Sequence, residues 1–370
     1  MNNHNILLSD LKQIVTINSH TGNKAGVDQV GNHFEKWLSD LGFRLSRHQR
    51  SHIGDHLHFC SPTQSGQTLL LLGHMDTVFS PGHFDTYRLD GDWVYGPGVC
   101  DMKGGLIVAL EALRHTHAKF GKVCNIDFLL VSDEETGSDD SKFLTAKLAK
   151  NYDACFVLEA AGDKGALVTG RKGVGTFTLK VRGKAAHAGN RYTEGINANL
   201  VAAGLIEKLT ELTDLTEGTT VNVGVIKGGV SANTISPMAT LLFEIRYQTI
   251  SERDRLLSSI KTIANDRING SVLSLEGGIQ RDVMASSFEQ AALLESLRLI
   301  SAQNLPTEQR GGVSDANNTS SCGLTTLDGF GPYGDGDHTI DERASLISLR
   351  ERIVLLFSIF EYLQINKKLF

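Results

Sequence analysis

No stretch of the chain gathers lysine and arginine into a stripe, and 36 basic residues stand against 42 acidic ones for a formal net charge of -6. Phosphate contacts need clustered cations, so a nucleic-acid partner is not expected. The opening residues, MNNHNILLSDLKQIV, carry no basic n-region, and their apolar positions are interrupted by polar ones at helical spacing. Neither a signal peptide nor a membrane span is expected there. Cysteine is scarce and unpaired: Cys60, Cys100, Cys124, Cys155 and Cys322 are odd in number, scattered, and contain no CxxC. That pattern fits reduced thiols in a cytoplasmic protein and argues against a disulfide framework. Cys124 and Cys155 lie in apolar runs and read as core residues, and Cys100, although it precedes Asp101, reads as packing. Internal repeats and low-complexity tracts are absent. A GxSxG elbow is missing, which counts against a serine hydrolase. The glycine-rich GRKGVG at 170–175 lacks the lysine-serine pair and following helix of a phosphate loop.

A hydrophobic fraction of 41% and a charged fraction of 21% belong to an ordinary globular protein, and 370 residues predict two domains. The chain is organised around LLLLGHMDTV at 69–78, an unbroken leucine run ending in His74 and Asp76. Such a run predicts a strand buried on both faces, as in a parallel sheet covered by helices, with ligands gathered at its carboxyl end. Helices are expected over 6–17 and 27–41, the second ended by Gly42, and short strands near Leu45 and over 56–60. After the loop GPGVCDMKGG comes a helix over about 105–117. The apolar run 123–132 then ends in DEETGS, and after a helix over about 138–150 the run 154–158 ends in Glu159. Three buried-type strands thus end in metal-seeking residues, which suggests one site along a sheet edge.

From about Arg171 the texture changes. Strands at 176–181, 221–226, 239–247 and near Leu273 alternate with helices over 198–212 and 252–268, a βαββαβ-like set. Beyond it the chain returns to helix and buried strand, a loop FGPYGDGDHTIDE and a last helix over 344–363. The fold class expected is α/β, a discontinuous catalytic domain (1–170 and 282–370) interrupted by an inserted α+β domain over 171–281.

His74, Asp101, Glu135, Glu159 and His338 supply two imidazoles and three carboxylates, the donor set of a hydrolytic zinc centre. That many carboxylates make a two-metal arrangement plausible. Asp76 is placed to accept from the non-ligating nitrogen of His74. Glu134 and Glu135 are neighbours and cannot be equivalent ligands, so one is expected to bind metal and the other to act as general base. HMDTV, GPGVCDMKGG, DEETGS, VLEA and DHTIDE, in this order, resemble the M20 family of zinc metallopeptidases, most closely its glutamate carboxypeptidase branch. GKAAHAG and GGVSANTIS extend the likeness through the insertion.

The resemblance implies a mixed-sheet, zinc-exopeptidase-like catalytic domain with a ferredoxin-like lid and dimerisation domain, hence a homodimer. It implies two zinc ions (cobalt or manganese as alternatives), with Asp101 bridging, His74 and Glu159 completing one site, and Glu135 and His338 the other. Glu134 matches the general base that deprotonates a zinc-activated water, and the Asp101–Met102 peptide is expected to be cis. His187 falls where the family contacts the reacting carbonyl. Asn233 falls at a substrate-contact position, and Arg281 approximates the arginine that holds a substrate carboxylate, although Asp282, Val283 and Met284 depart from the pattern. Spacing alone favours a turn histidine and a loop asparagine for His187 and Asn233. The activity implied is hydrolysis of an amide or peptide bond in a small molecule or short peptide with a free carboxylate. Deacylation of an N-acyl amino acid, of acetylornithine or succinyl-diaminopimelate type, and a metal-free binding homologue are the alternatives.

Overall fold

The computed structural model describes residues 2–370, and the chain divides into two compact units. The first runs to Gly170 and resumes over Ser286–Arg310 and Ser314–Phe370; the second comprises Arg171–Ala285 and Gly311–Val313. The return to the first unit falls at Ser286, beyond the expected Arg281, because Met284 still exchanges backbone hydrogen bonds with Arg171.

The first unit is built on a six-stranded sheet in the order Arg44–His48, His56–Cys60, Ile126–Val131, Leu69–His74, Ala154–Val157, Thr325–Leu327. The first two joins are antiparallel and the other three parallel, so the sheet is mixed. Every residue of Leu69–His74 is buried. Leu69 and Leu71 enter the main core, which also takes Leu106, Ile107 and Leu110 from the Lys103–Phe120 helix. Each buried leucine contributes about 1.5–3 kcal/mol. That helix ends where Gly121 takes a φ of 73° and donates its N–H to His117. Lys24–Ser39 is capped by Asn23 and buries Val27, Val30, Phe34, Trp37 and Leu38 along one stripe. Among the described residues no helix is long and apolar enough to cross a membrane.

Four short strands, Arg88–Asp90, Trp93–Tyr95, Gly334–Asp335 and Arg343–Ser345, form a separate sheet. Sequence periodicity did not predict them, since two or three residues complete no recognisable alternation.

The second unit holds a sheet in the order Thr220–Gly228, Met238–Tyr247, Gly173–Arg182, Val272–Arg281, antiparallel throughout. With helices Ala198–Thr210 and Ile250–Ala264 the chain order is βαββαβ, the ferredoxin-like arrangement. Leu241, Phe243 and Ile245 alternate inward and share a core with Val201, Leu205, Leu256 and Ile260. GRKGVG passes from the Leu167–Arg171 strand directly into Gly173–Arg182, with no helix to form an anion site.

Candidate metal centre

Parallel register assembles the site. Leu69 pairs with Ile126 and Ala154 on its two sides, and His74 lies opposite Val131. Three strands therefore finish at one edge, where His74, the Glu134–Thr136 turn and Glu159 follow. Two glycines permit the approach of the Lys103–Phe120 helix: a Cβ on Gly73 would lie 2.4 Å from Leu106 Cδ2, and one on Gly105 would lie 1.9 Å from the Leu158 carbonyl oxygen. That contact brings Asp101, just before the helix, to the same edge. The Asp101–Met102 peptide is cis.

The carboxylate of Asp101 stands between two imidazoles. Its Oδ1 lies 3.1 Å from His74 Nε2 and its Oδ2 3.3 Å from His338 Nε2. His338 Nε2 is also 3.3 Å from Glu135 Oε2, and His74 Nε2 is 3.8 Å from Glu159 Oε1. Donor atoms of His74, Asp101 and Glu135 lie within 4.8 Å of one another. His74 Nδ1 is 3.0 Å from the main-chain oxygen of Asp76, which can only accept, so Nδ1 carries the proton and Nε2 faces the cluster. The Asp76 carboxylate is farther from Nδ1, at 3.5 Å. It also accepts from the Thr21 hydroxyl at 2.7 Å and from the N–H groups of Glu134 and Glu135 at 3.3 Å each. Beside its place next to His74 it therefore holds the turn that presents the two glutamates.

The charges conflict. Burial would raise the Asp101 carboxyl, but hydrogen bonds from His338 and His74 hold it well below the usual carboxylate range. Burial and the neighbouring Asp101 charge push Glu135 up to about 8 and raise Glu159 as well. Burial would lower His74, yet its bonds to Asp101 and Asp76 raise it, and bonds to Asp101 and Glu135 push His338 up to about 11. Protonated imidazoles can satisfy Asp101 but leave Glu135 and Glu159 short of positive charge. Divalent cations would resolve both demands, with neutral imidazoles and ionised carboxylates as donors, so the donor set fits them.

His187, Asn233 and Arg281 belong to the second unit. His187 and Asn233 are exposed neighbours on paired segments, where Ala188 N–H donates to the Asn233 carbonyl at 2.9 Å. His187 Nδ1 accepts from the N–H groups of Gly189 and Asn190 at 3.2 and 3.1 Å, which leaves its outer nitrogen as the donor. Arg281 ends its strand with 4% of its surface exposed. A second grouping of possible ligands, His58, Cys60 and Asp127, lies on one face of the first unit's sheet. There the Tyr152 hydroxyl joins His58 Nε2 at 2.8 Å to Asp127 Oδ2 at 2.7 Å, an already satisfied polar network.

The model for peptidase family M20/M25/M40 matches residues 70–362, a span that takes in all five converging side chains. The chain belongs to this family. Carboxypeptidase G2 of Pseudomonas sp. (strain RS-16) is 31% identical over 271 residues, which cover 70% of this chain and 64% of that protein. Acetylornithine deacetylase of Buchnera aphidicola subsp. Acyrthosiphon pisum (strain 5A) is 29% identical over 64% of this chain and 65% of its own length. The chain therefore spans just under two thirds of these two relatives. In fold it is similar to a tripeptidase from Staphylococcus aureus subsp. aureus mu50, with a TM-score of 0.82, 22% identity and 99% of each chain covered.

Two residues of this M20 chain went unnoticed in the sequence. Glu342, 1% exposed, accepts the N–H of Gly98 at 2.9 Å on one oxygen and those of Cys100 and Asp101 at 2.9 and 3.0 Å on the other. Burial pushes its carboxyl up to about 7 against these bonds. Lys103 is fully buried, donates to the Ile17 carbonyl at 3.0 Å, and is lowered by burial to about 7, opposed by Glu342 and Asp76. Both lie inside DHTIDE and GPGVCDMKGG, and their place in fragments that carry the family resemblance is the signal that could have found them. Cys100 is fully buried, and burial pushes its thiol well up.

Proposed function

We propose that the chain is a metal-dependent hydrolase of an amide or peptide bond in a small substrate with a free carboxylate, of glutamate carboxypeptidase type. The observation that carries this reading is Asp101 held between His74 and His338, with Glu135 and Glu159 closing the ring. His74, Asp101 and Glu159 would hold one ion and Asp101, Glu135 and His338 the other, with zinc preferred for a set of imidazole and carboxylate. When bound, two such cations polarise the scissile carbonyl and acidify the attacking water.

Glu134 takes the proton of the attacking water and returns it to the leaving amine. Asp76 positions that base through the Glu134 and Glu135 N–H groups. His187 offers its outer N–H to the reacting carbonyl oxygen, a role that contributes roughly 2.7–4 kcal/mol in comparable sites. Asn233 and Arg281 contact the substrate, the Arg281 guanidinium donating to the substrate's carboxylate. The inserted unit acts as lid and homodimer contact in a cytoplasmic enzyme with neither nucleic-acid nor membrane partner. The likeness to acetylornithine deacetylase favours N-acyl amino acid deacylation as the second reading.

Glu134→Gln should lower turnover roughly 10²–10⁴-fold while leaving metal content unchanged. Loss of bound metal in that variant would reassign Glu134 as a ligand. Assaying wild type on C-terminal glutamyl amides, dipeptides, acetylornithine and succinyl-diaminopimelate separates the two readings, and a chain that binds no metal fits neither.

A further inference from the structure

The first unit carries a cavity of about 390 Å³ whose walls share no residue with the metal centre. It opens between the Lys164–Gly165 turn, the segment 303–306 and the first turns of the Leu346–Asn366 helix, all within one unit. Its size falls in the range of small-molecule sites. Lys164, Arg350 and Arg352 line it against a single carboxylate, Glu351, and the amides of Gln303 and Asn304 stand at the same wall.

Arg352 is the unusual member. Only 4% of it is exposed, yet among the described residues no carboxylate forms an ion pair with its guanidinium. One terminal nitrogen donates to the Gly165 carbonyl at 2.6 Å, which places the guanidinium against a residue of the cavity wall. Its Nε is buried with no hydrogen-bond partner among the described residues. Burial lowers Arg352 to about 10, partly opposed by Glu351, so it stays charged at neutral pH. Buried charges are ordinarily paired, because a desolvated and uncompensated ion is costly. Holding a backbone carbonyl needs only a neutral donor. A guanidinium kept here, beside two further cations and a cavity, has the fork that matches a planar or tetrahedral oxyanion.

We propose that this cavity is a binding site, separate from the metal centre, for a small molecule bearing a carboxylate or phosphate group, with Arg352 as its anchor and Lys164 and Arg350 at its rim. The shared chemistry is the oxyanion, and the two sources are distinguished by the probe that saturates the site. Isothermal titration of the metal-loaded protein with inorganic phosphate, and separately with succinate, is compared with sodium chloride at equal ionic strength. Wild type should show a saturable component with one probe that chloride does not reproduce. Arg352→Gln should weaken it at least tenfold, and Lys164→Gln, at an exposed position, about threefold. If Arg352→Gln does not fold, the charge reversal Lys164→Glu should weaken the same component at least tenfold. No saturable component with either probe overturns the proposal. So does a component equally strong in the variants, which would then belong to the metal centre.

Discussion

Glu342→Gln tests how the Asp101 loop is held. At pH 8 Glu342, pushed by burial to about 7, is mostly ionised and accepts three backbone N–H groups from Gly98, Cys100 and Asp101. An amide in the same place has one acceptor oxygen. Turned toward Cys100 and Asp101, it sets its NH2 against the Gly98 N–H, which loses the Oε2 acceptor that Glu342 gives it. A hydrogen bond to a charged group contributes about 1.5–3 kcal/mol and the remaining two fall to neutral strength, a gross loss of about 4–5 kcal/mol. The amide escapes the burial penalty that raises the carboxyl, so the net loss expected is about 1–2 kcal/mol. For a unit of this size that lowers the melting temperature by roughly 2–8 °C. Because Asp101 N–H is among the three, metal affinity should also fall about 10–100-fold, as for other groups that orient ligands. Urea denaturation of the metal-free protein at pH 8 measures the first effect, and titration against a competing chelator measures the second. Glu276→Gln, which removes an exposed partner of Lys180, is the control and should move neither. A Glu342→Gln protein with wild-type stability and metal affinity would refute the reasoning.

Other perturbations probe the remaining assignments. Asp55 accepts from Lys24 at 2.7 Å, Arg47 at 3.4 Å and the Arg50 N–H at 3.0 Å; burial would raise it, but these bonds hold it below the ordinary 3.8. Its folded value being depressed, its stabilisation is complete above about pH 3.8 and is lost as pH falls further, so Asp55→Asn should flatten the acid limb of a urea-stability profile; an unchanged limb would discount the cluster. Mixing and re-annealing His187→Ala with Glu134→Ala should restore activity if His187 serves the partner's site, since one site of the heterodimer then holds both groups. Heterodimers that form and stay inactive would place it in its own chain, and a fully active His187→Ala would remove its role at the carbonyl. Arg281→Lys should raise KM for carboxylate-bearing substrates far more than for their amidated analogues, whereas equal loss on both would make Arg281 structural.

What the residues by themselves determine here is local and periodic. Four leucines and a glycine before His74 specify a strand buried on both faces, and its polar ending marks the active edge, because side-chain alternation and burial are written in adjacent positions. The βαββαβ insertion was legible for the same reason. Tertiary structure decided what adjacency cannot encode. Glu342 acts on loop atoms 241–244 positions earlier in the chain, and only the fold brings its carboxylate to their N–H groups. The carboxylate of Asp76 lies 3.5 Å from His74 Nδ1, as adjacency suggests, but only the fold adds its bonds from Thr21 and the Glu134–Glu135 turn. Arg352 reads in sequence as one charge of an ordinary helix, and only packing reveals that it is buried with no ion-paired carboxylate among the described residues. Contacts between distant segments depend on register and closure, and no local periodicity carries that information.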